Sequence, residues 1–236
     1  MTELDRIRRE YARRAQDPHL QDRYSISQPD VQFALHTRER AVLRLLHQTG
    51  LSPERRDVLE VGCGEGDVLL ELLRWGADPA RLCGCDLLSE RLVVARRRLP
   101  PAVSLAVADG GALPYPSAAF DLVAQFTVLT SVLDDNLRKS IAQEMWRVLR
   151  PGGAVLWYDF HFQGFNRAVR AIGWREVRAL FPHGNLIRRT VTLAMPITRH
   201  LAHRSWLACE LLERLPWLRT HDLILIRKPG EKDERG

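Results

Sequence analysis

Apolar positions over the first fifty residues recur at helical spacing. Leu4, Ile7 and Tyr11 fall on one stripe of a segment spanning 3–15, with arginines around the rest of its circumference. Val42, Leu45 and Leu46 form the apolar face of a second helix predicted over 31–47. Between the two, 17–30 is polar and carries Pro18, Ser25, Ser27 and Pro29, which reads as a loop. From residue 57 the pattern changes to short apolar runs alternating with amphipathic segments. Strands are predicted at 57–61, 81–85, 103–108, 120–126 and 154–158. Helices are predicted at 67–75, 89–99 and 134–149, with Ser89 at an N-cap position and Pro151-Gly152-Gly153 as a turn. Such alternation implies a parallel sheet with helices on both faces. Further on, a helix over 174–181, a strand over 186–193, a helical insert over about 198–215 and a final strand over 222–227 are expected.

Composition narrows the class. The chain of 236 residues is 45% hydrophobic, enough for a sizeable core, and this excludes disorder for most of it. No apolar run approaches the roughly 18–20 residues of a transmembrane helix. The opening Met1-Thr2-Glu3-Leu4-Asp5-Arg6 has no apolar signal region, so a cytoplasmic location is expected. The four cysteines are too few for a disulfide scaffold, and Cys83 and Cys85 form the only close pair, so free thiols and no metal site are expected. The formal charge is +6, which invites a nucleic-acid reading. Its distribution is uneven: +3 over 1–56, −4 over 57–160 and +7 over 161–236. Nearly all the basic residues are arginine, which suits bidentate contact with carboxylate or phosphate and equally fits a GC-rich coding bias.

The strongest chemical signal is the first strand with its loop, Val58-Leu59-Glu60-Val61-Gly62-Cys63-Gly64-Glu65-Gly66. Glycines between a strand and a helix let a ligand approach the backbone, and the helix N-terminus favours an anionic group. The triplet falls at Gly62, Gly64 and Gly66, while Asp67 stands where a dinucleotide fingerprint wants its third glycine. With Glu60 ahead of the turn, this weighs against a nicotinamide dinucleotide and for another nucleoside ligand. Asp86, followed by Leu87, ends the second strand 24 residues after Gly62. Alone it reads equally well as an ordinary strand-end residue or a ribose acceptor; behind this loop the ribose role is favoured. Asp109-Gly110 ends the third strand, and Glu144-Met145-Trp146-Arg147-Val148-Leu149-Arg150-Pro151-Gly152-Gly153 closes the last helix of this run.

In order and spacing, these four motifs over about 57–160 resemble the class I S-adenosylmethionine-dependent methyltransferases, in particular the small-molecule branch that includes the ubiquinone and menaquinone biosynthesis enzymes. The resemblance implies an α/β fold: a Rossmann-like, seven-stranded, mostly parallel sheet with helices on both faces and an antiparallel last strand. It implies a helical N-terminal cap over 1–50 and a methyltransferase domain over 51–230 with a helical insert at 194–219. The charged tail 231–236 is expected to be disordered. S-adenosyl-L-methionine is the implied cofactor. Glu60, Gly62, Cys63, Gly64 and Gly66 would surround its methionine part, Asp86 and Leu87 its ribose, Asp109 and Gly110 its adenine. Gln125 would lie near the sulfonium, and Tyr24 or Tyr11 would close over the site. Gly110-Gly111 departs from the family's usual Ala-x after the aspartate, which leaves the adenine contact open.

The family builds its acceptor site from segments that here are 1–50, 125–131, 159–167 and 194–219. An oxygen nucleophile gains from a general base. Asp159 and His161, two apart at the end of the fifth strand, share a face by alternation and are the catalytic candidates. His200 and His203 on the insert are expected to be surface residues. Trp206 faces away from the stripe of Leu201, Ala208, Leu211 and Leu215, free to reach the cleft or a second copy in a homodimer. The expected partner is a small or medium acceptor, anionic or glycosyl-type, with Arg167, Arg170, Arg188, Arg189, Arg199 and Arg204 as the pool of anion contacts. Gln125-Phe126-Thr127-Val128 is neither the Asn/Asp-Pro-Pro-aromatic segment of amine-methylating nucleic-acid enzymes nor the Pro-Cys of cytosine-C5 enzymes, so a nucleic-acid partner is disfavoured. RNA, protein, and N- or C-methylation of a natural product or quinone-like acceptor are the alternatives. For the basic N-terminal helix, a cap packed on the domain is favoured over a membrane-surface role.

Overall fold

A computed structural model describes residues 2–164 and 166–230. The predicted tail 231–236 lies outside the described residues. The strands are β1 (Val58–Val61), β2 (Leu82–Asp86), β3 (Ser104–Val107), β4 (Phe120–Phe126), β5 (Leu149–Phe160), β6 (Asn185–Leu193) and β7 (Arg219–Arg227). They form one seven-stranded sheet in the order β3-β2-β1-β4-β5-β7-β6. The pairings among β1 to β5 are parallel, and β7 runs antiparallel to both neighbours, β5 and β6. The order reverses at β1, which pairs β2 on one side and β4 on the other, so a crevice opens beyond the carboxyl ends of these strands.

The helices are α1 (Glu3–Ala15), α2 (Pro18–Arg23), α3 (Pro29–Thr49), α4 (Asp67–Arg74), α5 (Ser89–Arg98), α6 (Asp135–Val148), α7 (Trp174–Leu180), α8 (Met195–Leu201) and α9 (Trp206–Glu213). Strand alternation divides the core into two layers. Val58, Leu122, Ala124 and Leu156 pack with Val42 and Leu45 of α3, Leu69 and Leu72 of α4, and Leu92 of α5. Leu59, Val123, Val155 and Trp157 pack with Ile141 and Met145 of α6 and Val177 of α7. Burying each such side chain fully contributes about 1.5–3 kcal/mol. Helix α3 therefore belongs to the same core as the sheet, whereas α1 buries no residue.

Five expectations need correction. The polar stretch 17–30 contains a short helix, because Asp17 caps the amides of His19 and Leu20 and Pro18 starts the turn without needing a donor. Ser89 is the first residue of α5 rather than its cap; the residue before it, Leu88, donates its amide to Asp86 Oδ1 at 2.9 Å. Pro151-Gly152-Gly153 lies within β5, where the pairing with β4 shifts register between Phe120 and Leu122 and Gly152 takes φ +78°. The insert is two helices, broken before Ser205, whose hydroxyl caps Ala208. Trp206 packs edge-on against Phe33 of α3 at 5.7 Å, while Leu211, from the stripe on the other side, is 52% exposed.

Candidate active site

The turn after β1 demands glycine. Gly62 has φ +71°, and a Cβ there would meet Val128 Cγ2 at 2.4 Å. A Cβ on Gly64, φ +52°, would meet the Arg91 guanidinium, and one on Gly66, φ +84°, would meet Leu99 Cδ1. The Gly62 and Cys63 amides donate to Cys85 O at 2.7 and 3.0 Å, which ties the loop to the end of β2. Asp86 sits there, 6% exposed, and its two carboxylate oxygens accept from the amides of Gly64 (2.8 Å) and Leu88 (2.9 Å). Asp109 Oδ1 accepts the Gly111 amide at 2.8 Å, so the glycine pair after it makes an Asx turn.

These residues line a cavity of about 260 Å³ at the switch point. Of the sequence-derived cofactor set, Glu60, Gly62, Cys63, Asp86, Leu87, Asp109 and Gly110 face it. Gly64 and Gly66 shape the loop without lining the cavity. Gln125 is fully buried beneath it: Oε1 accepts the Val128 amide at 3.0 Å and Nε2 donates to Tyr158 O at 3.4 Å, bracing the turn after β4. Tyr24 is 60% exposed at the end of α2 and stands outside the cavity; Tyr11 of α1 lines it instead. Helix α1 lies across the opening through Leu4, Ile7 and Tyr11. Glu3 Oε1 accepts the Leu133 amide at 2.6 Å, Arg6 donates to Ser131 O at 2.6 Å, and Tyr11 Oη lies 3.2 Å from Ser131 Oγ. The Arg91 guanidinium packs 5.3 Å from the Tyr11 ring centre.

The floor is charged. Burial pushes the Glu60 carboxyl up to about 8, against the opposing pull of Arg38. Glu60 Oε2 has no hydrogen-bond partner among the described residues. Arg38, from α3, ion-pairs with Glu71 at 2.5 Å and lies over the rings of Phe126 and Tyr158 at 5.2 and 5.7 Å. Burial also pushes the Cys63 thiol far up and that of Cys85 to about 12, so both stay neutral. Thr127 takes φ +57°, a conformation costing about 1–3 kcal/mol. It is held there by its backbone N–H, which donates to Tyr158 O at 2.8 Å, and it lines the cavity where β4 ends.

The structure does not bring Asp159 and His161 into this cavity. Asp159 is 1% exposed and accepts from the Thr130 amide and hydroxyl, and burial holds its carboxyl up at about 7. His161 is half-buried, with Nδ1 3.1 Å from Oδ1 of Asp222, the cross-strand partner of Asp159. Arg188 Nη2 approaches the same oxygen at 3.0 Å. These contacts lie within ion-pair distance but are not aligned as hydrogen bonds, and both Asp222 oxygens are buried without a hydrogen-bond partner among the described residues. Of the arginine pool, Arg170 pairs with Asp135 and Glu176, and Arg199 with Asp30. His200 and His203 are exposed, as expected.

Sequence reading missed Arg38, Arg91, Thr127, Val128 and Asp222. Arg38, Arg91 and Asp222 reach their sites from helices or strands with no local motif, and Thr127 and Val128, in the segment after β4, carry no signal of the cavity they line. The positive φ of Thr127 and the register that sets Asp222 opposite Asp159 exist only in the fold.

A nucleoside-sized crevice at the switch point of a doubly wound sheet, walled by a glycine turn and acids ending β1, β2 and β3, defines the class as a Rossmann-like ligand-binding protein. Residues 58–153 match the family model described as a methyltransferase domain. The chain is 34% identical over 113 residues to the demethylmenaquinone methyltransferase of Deinococcus radiodurans, covering 47% of this chain and 45% of that one. It is 26% identical over 113 residues to a tRNA N(3)-methylcytidine methyltransferase of Drosophila melanogaster, covering 44% and 34%. The chain thus spans less than half the length of either relative. Among solved structures, a SAM-dependent methyltransferase from Thermotoga maritima superposes with TM-score 0.62 at 16% identity, covering 88% of this chain and 94% of that one. The matched segment is a class I S-adenosylmethionine-dependent methyltransferase domain. Among the described residues, no helix is long and apolar enough to cross a membrane.

Proposed function

We propose that the chain binds S-adenosyl-L-methionine in the switch-point cavity and transfers its methyl group to an oxygen of a small or medium acceptor bearing an anionic or glycosyl-type group. The observation that carries this reading is the buried, unpartnered Glu60 oxygen beside Arg38, on the floor of a glycine-walled cavity that also presents Asp86 and Asp109. An amino-acid zwitterion needs a partner for each end: Arg38 offers a positive group to the carboxylate, and the Glu60 carboxyl, held protonated by burial while its Oε2 lacks a partner, ionises against the ammonium. Asp86 keeps free lone pairs on both oxygens for ribose hydroxyls, and Asp109 faces the adenine end. When bound, the cofactor supplies a sulfonium methyl already activated for displacement.

The protein's task is then orientation, which can supply on the order of 7–11 kcal/mol. Helix α1 and Tyr11 exclude water. Thr127 and Val128 set the wall where β4 ends. His161 stands outside the cofactor cavity, just past β5, so it takes the proton at Nε2 from an acceptor that reaches from there to the cavity, with Asp222 facing Nδ1. The Asp222 contact aligns on acceptor binding, as catalytic hydrogen bonds commonly do. Asp159, occupied by Thr130, braces the segment after β4 rather than taking a proton. Cytoplasmic residence and a homodimer are part of this reading.

Incubation with labelled S-adenosylmethionine and fractionated lysate tests the acceptor class. Label is expected in small molecules. Label in RNA alone would favour the reading shared with the tRNA-modifying relatives and overturn this one.

A further inference from the structure

A second cavity, of about 450 Å³, lies between α3, β6 and α9 and shares no lining residue with the first. Five arginines line it: Arg40 and Arg44 from α3, Arg189 from β6, Arg214 just past α9, and Arg219 opening β7. Only two carboxylates, Glu210 and Glu213, face them. Arg40 lies 3.3 Å from Glu210 and 4.0 Å from Glu213, and Arg219 donates to the carbonyls of Glu213 and Thr190. Among the described residues, Arg189 reaches only the carbonyl of Arg188. No hydrogen bond or ion pair engages the side chain of Arg44 or Arg214 among the described residues. Burial pushes the Glu213 carboxyl up, which weakens its countercharge further.

We propose that this groove binds a phosphate ester. Guanidinia crowded into one concavity repel each other, and a dianion offsets that repulsion. Their planar forks match phosphate oxygens, and a tetrahedral group can be met from three elements at once, whereas a planar carboxylate is met along one edge. Thr37, Gln48 and Thr190 add neutral groups suited to the esterified oxygen. A polynucleotide would call for a basic stripe along a surface; these arginines converge on one concavity. The phosphate can come from a soluble ester or from a lipid headgroup. The exposed Leu207 and Leu211 on α9, and Trp206 beside Leu43 in the adjoining groove, offer apolar surface to the latter.

The test is calorimetric titration at constant ionic strength with inorganic phosphate and with glycerol 3-phosphate. Flotation with phosphatidylcholine vesicles, with and without phosphatidylglycerol, runs beside it. The double variant R44Q/R214Q is compared after its melting curve shows that it folds. Saturable binding is expected, weakened about a hundredfold in the variant, or about tenfold for each guanidinium removed. Binding of the soluble ligands alone identifies a free ester, and flotation only with phosphatidylglycerol identifies a headgroup. Absence of binding in every arm, or binding equal in the variant, would each overturn the proposal.

Discussion

The two ends of the sheet's carboxyl edge handle their buried acids differently. At β1 and β2, Asp86 is met by backbone amides of the adjoining loops, Gly64 and Leu88. At β7, Asp222 is met by side chains, His161 and Arg188, neither aligned as a hydrogen bond, although Asp159 across from it on β5 accepts amides as Asp86 does. Amide-held acids are set once the loop folds and give a preorganised ligand seat. A side-chain-held acid stays adjustable, which suits a site that adapts to an acceptor and moves a proton.

The largest test of this contrast is at the adjustable end. His161→Gln is expected to lower kcat by about 10²–10⁴-fold and remove the acidic limb of the pH–rate profile, while cofactor affinity by calorimetry stays unchanged. An intact profile would remove the proton-transfer role. At the preorganised end, Asp86→Ala strips the buried Gly64 amide and the half-buried Leu88 amide of their acceptor and removes the ribose acceptor. Calorimetry should show S-adenosylmethionine binding weakened by about 10–100-fold; unaltered binding would break the ribose assignment.

The pH dependence of folding sharpens the comparison further. Glu60 rises from 4.5 to about 8 and Asp159 from 3.8 to about 7, both mainly through burial. Each folded-state pKa exceeds the unfolded one, so the stabilising difference is full below the unfolded value. It is lost as pH rises through the folded value. Thermal melts of the ligand-free protein should therefore fall from about pH 4 to pH 8. Glu60→Gln should flatten the upper part of that fall and Asp159→Asn the lower. A profile unchanged by Glu60→Gln would show that this carboxyl ionises normally. The smallest effect is expected from Tyr11→Phe, which removes the hydroxyl contact between α1 and Ser131 and should raise the KM for cofactor about two- to tenfold with kcat unchanged.

Much of the cofactor end was legible because its determinants are local. Gly62, Gly64 and Gly66 mark backbone conformations that few side chains adopt. Strand-end acids at Glu60, Asp86 and Asp109 fall at motif spacing. Where the reading failed, long-range contacts decided the outcome. Gln125 lies within the right strand, yet its side chain turns inward to brace Val128. Tyr24 and Tyr11 look alike as aromatic closures, and only the docking of α1 through Glu3 and Arg6 selects Tyr11. Asp159 and His161 share a face by alternation, but Thr130 occupies the first and Asp222 turns toward the second.

The sequence by itself determined the alternating strands and helices, the antiparallel last strand implied by family resemblance, and the glycine turn with its acids. The first and last of these rest on hydrophobic period or on backbone conformations coded within a few residues, and the strand direction on the resemblance alone. Packing of distant segments places Arg38 beside Glu60, lays Arg91 over the glycine loop, and brings five arginines from α3, β6, β7 and the end of α9 to one groove. These arrangements join residues far apart in the chain, and their energies depend on burial and on sheet register, which no local pattern encodes.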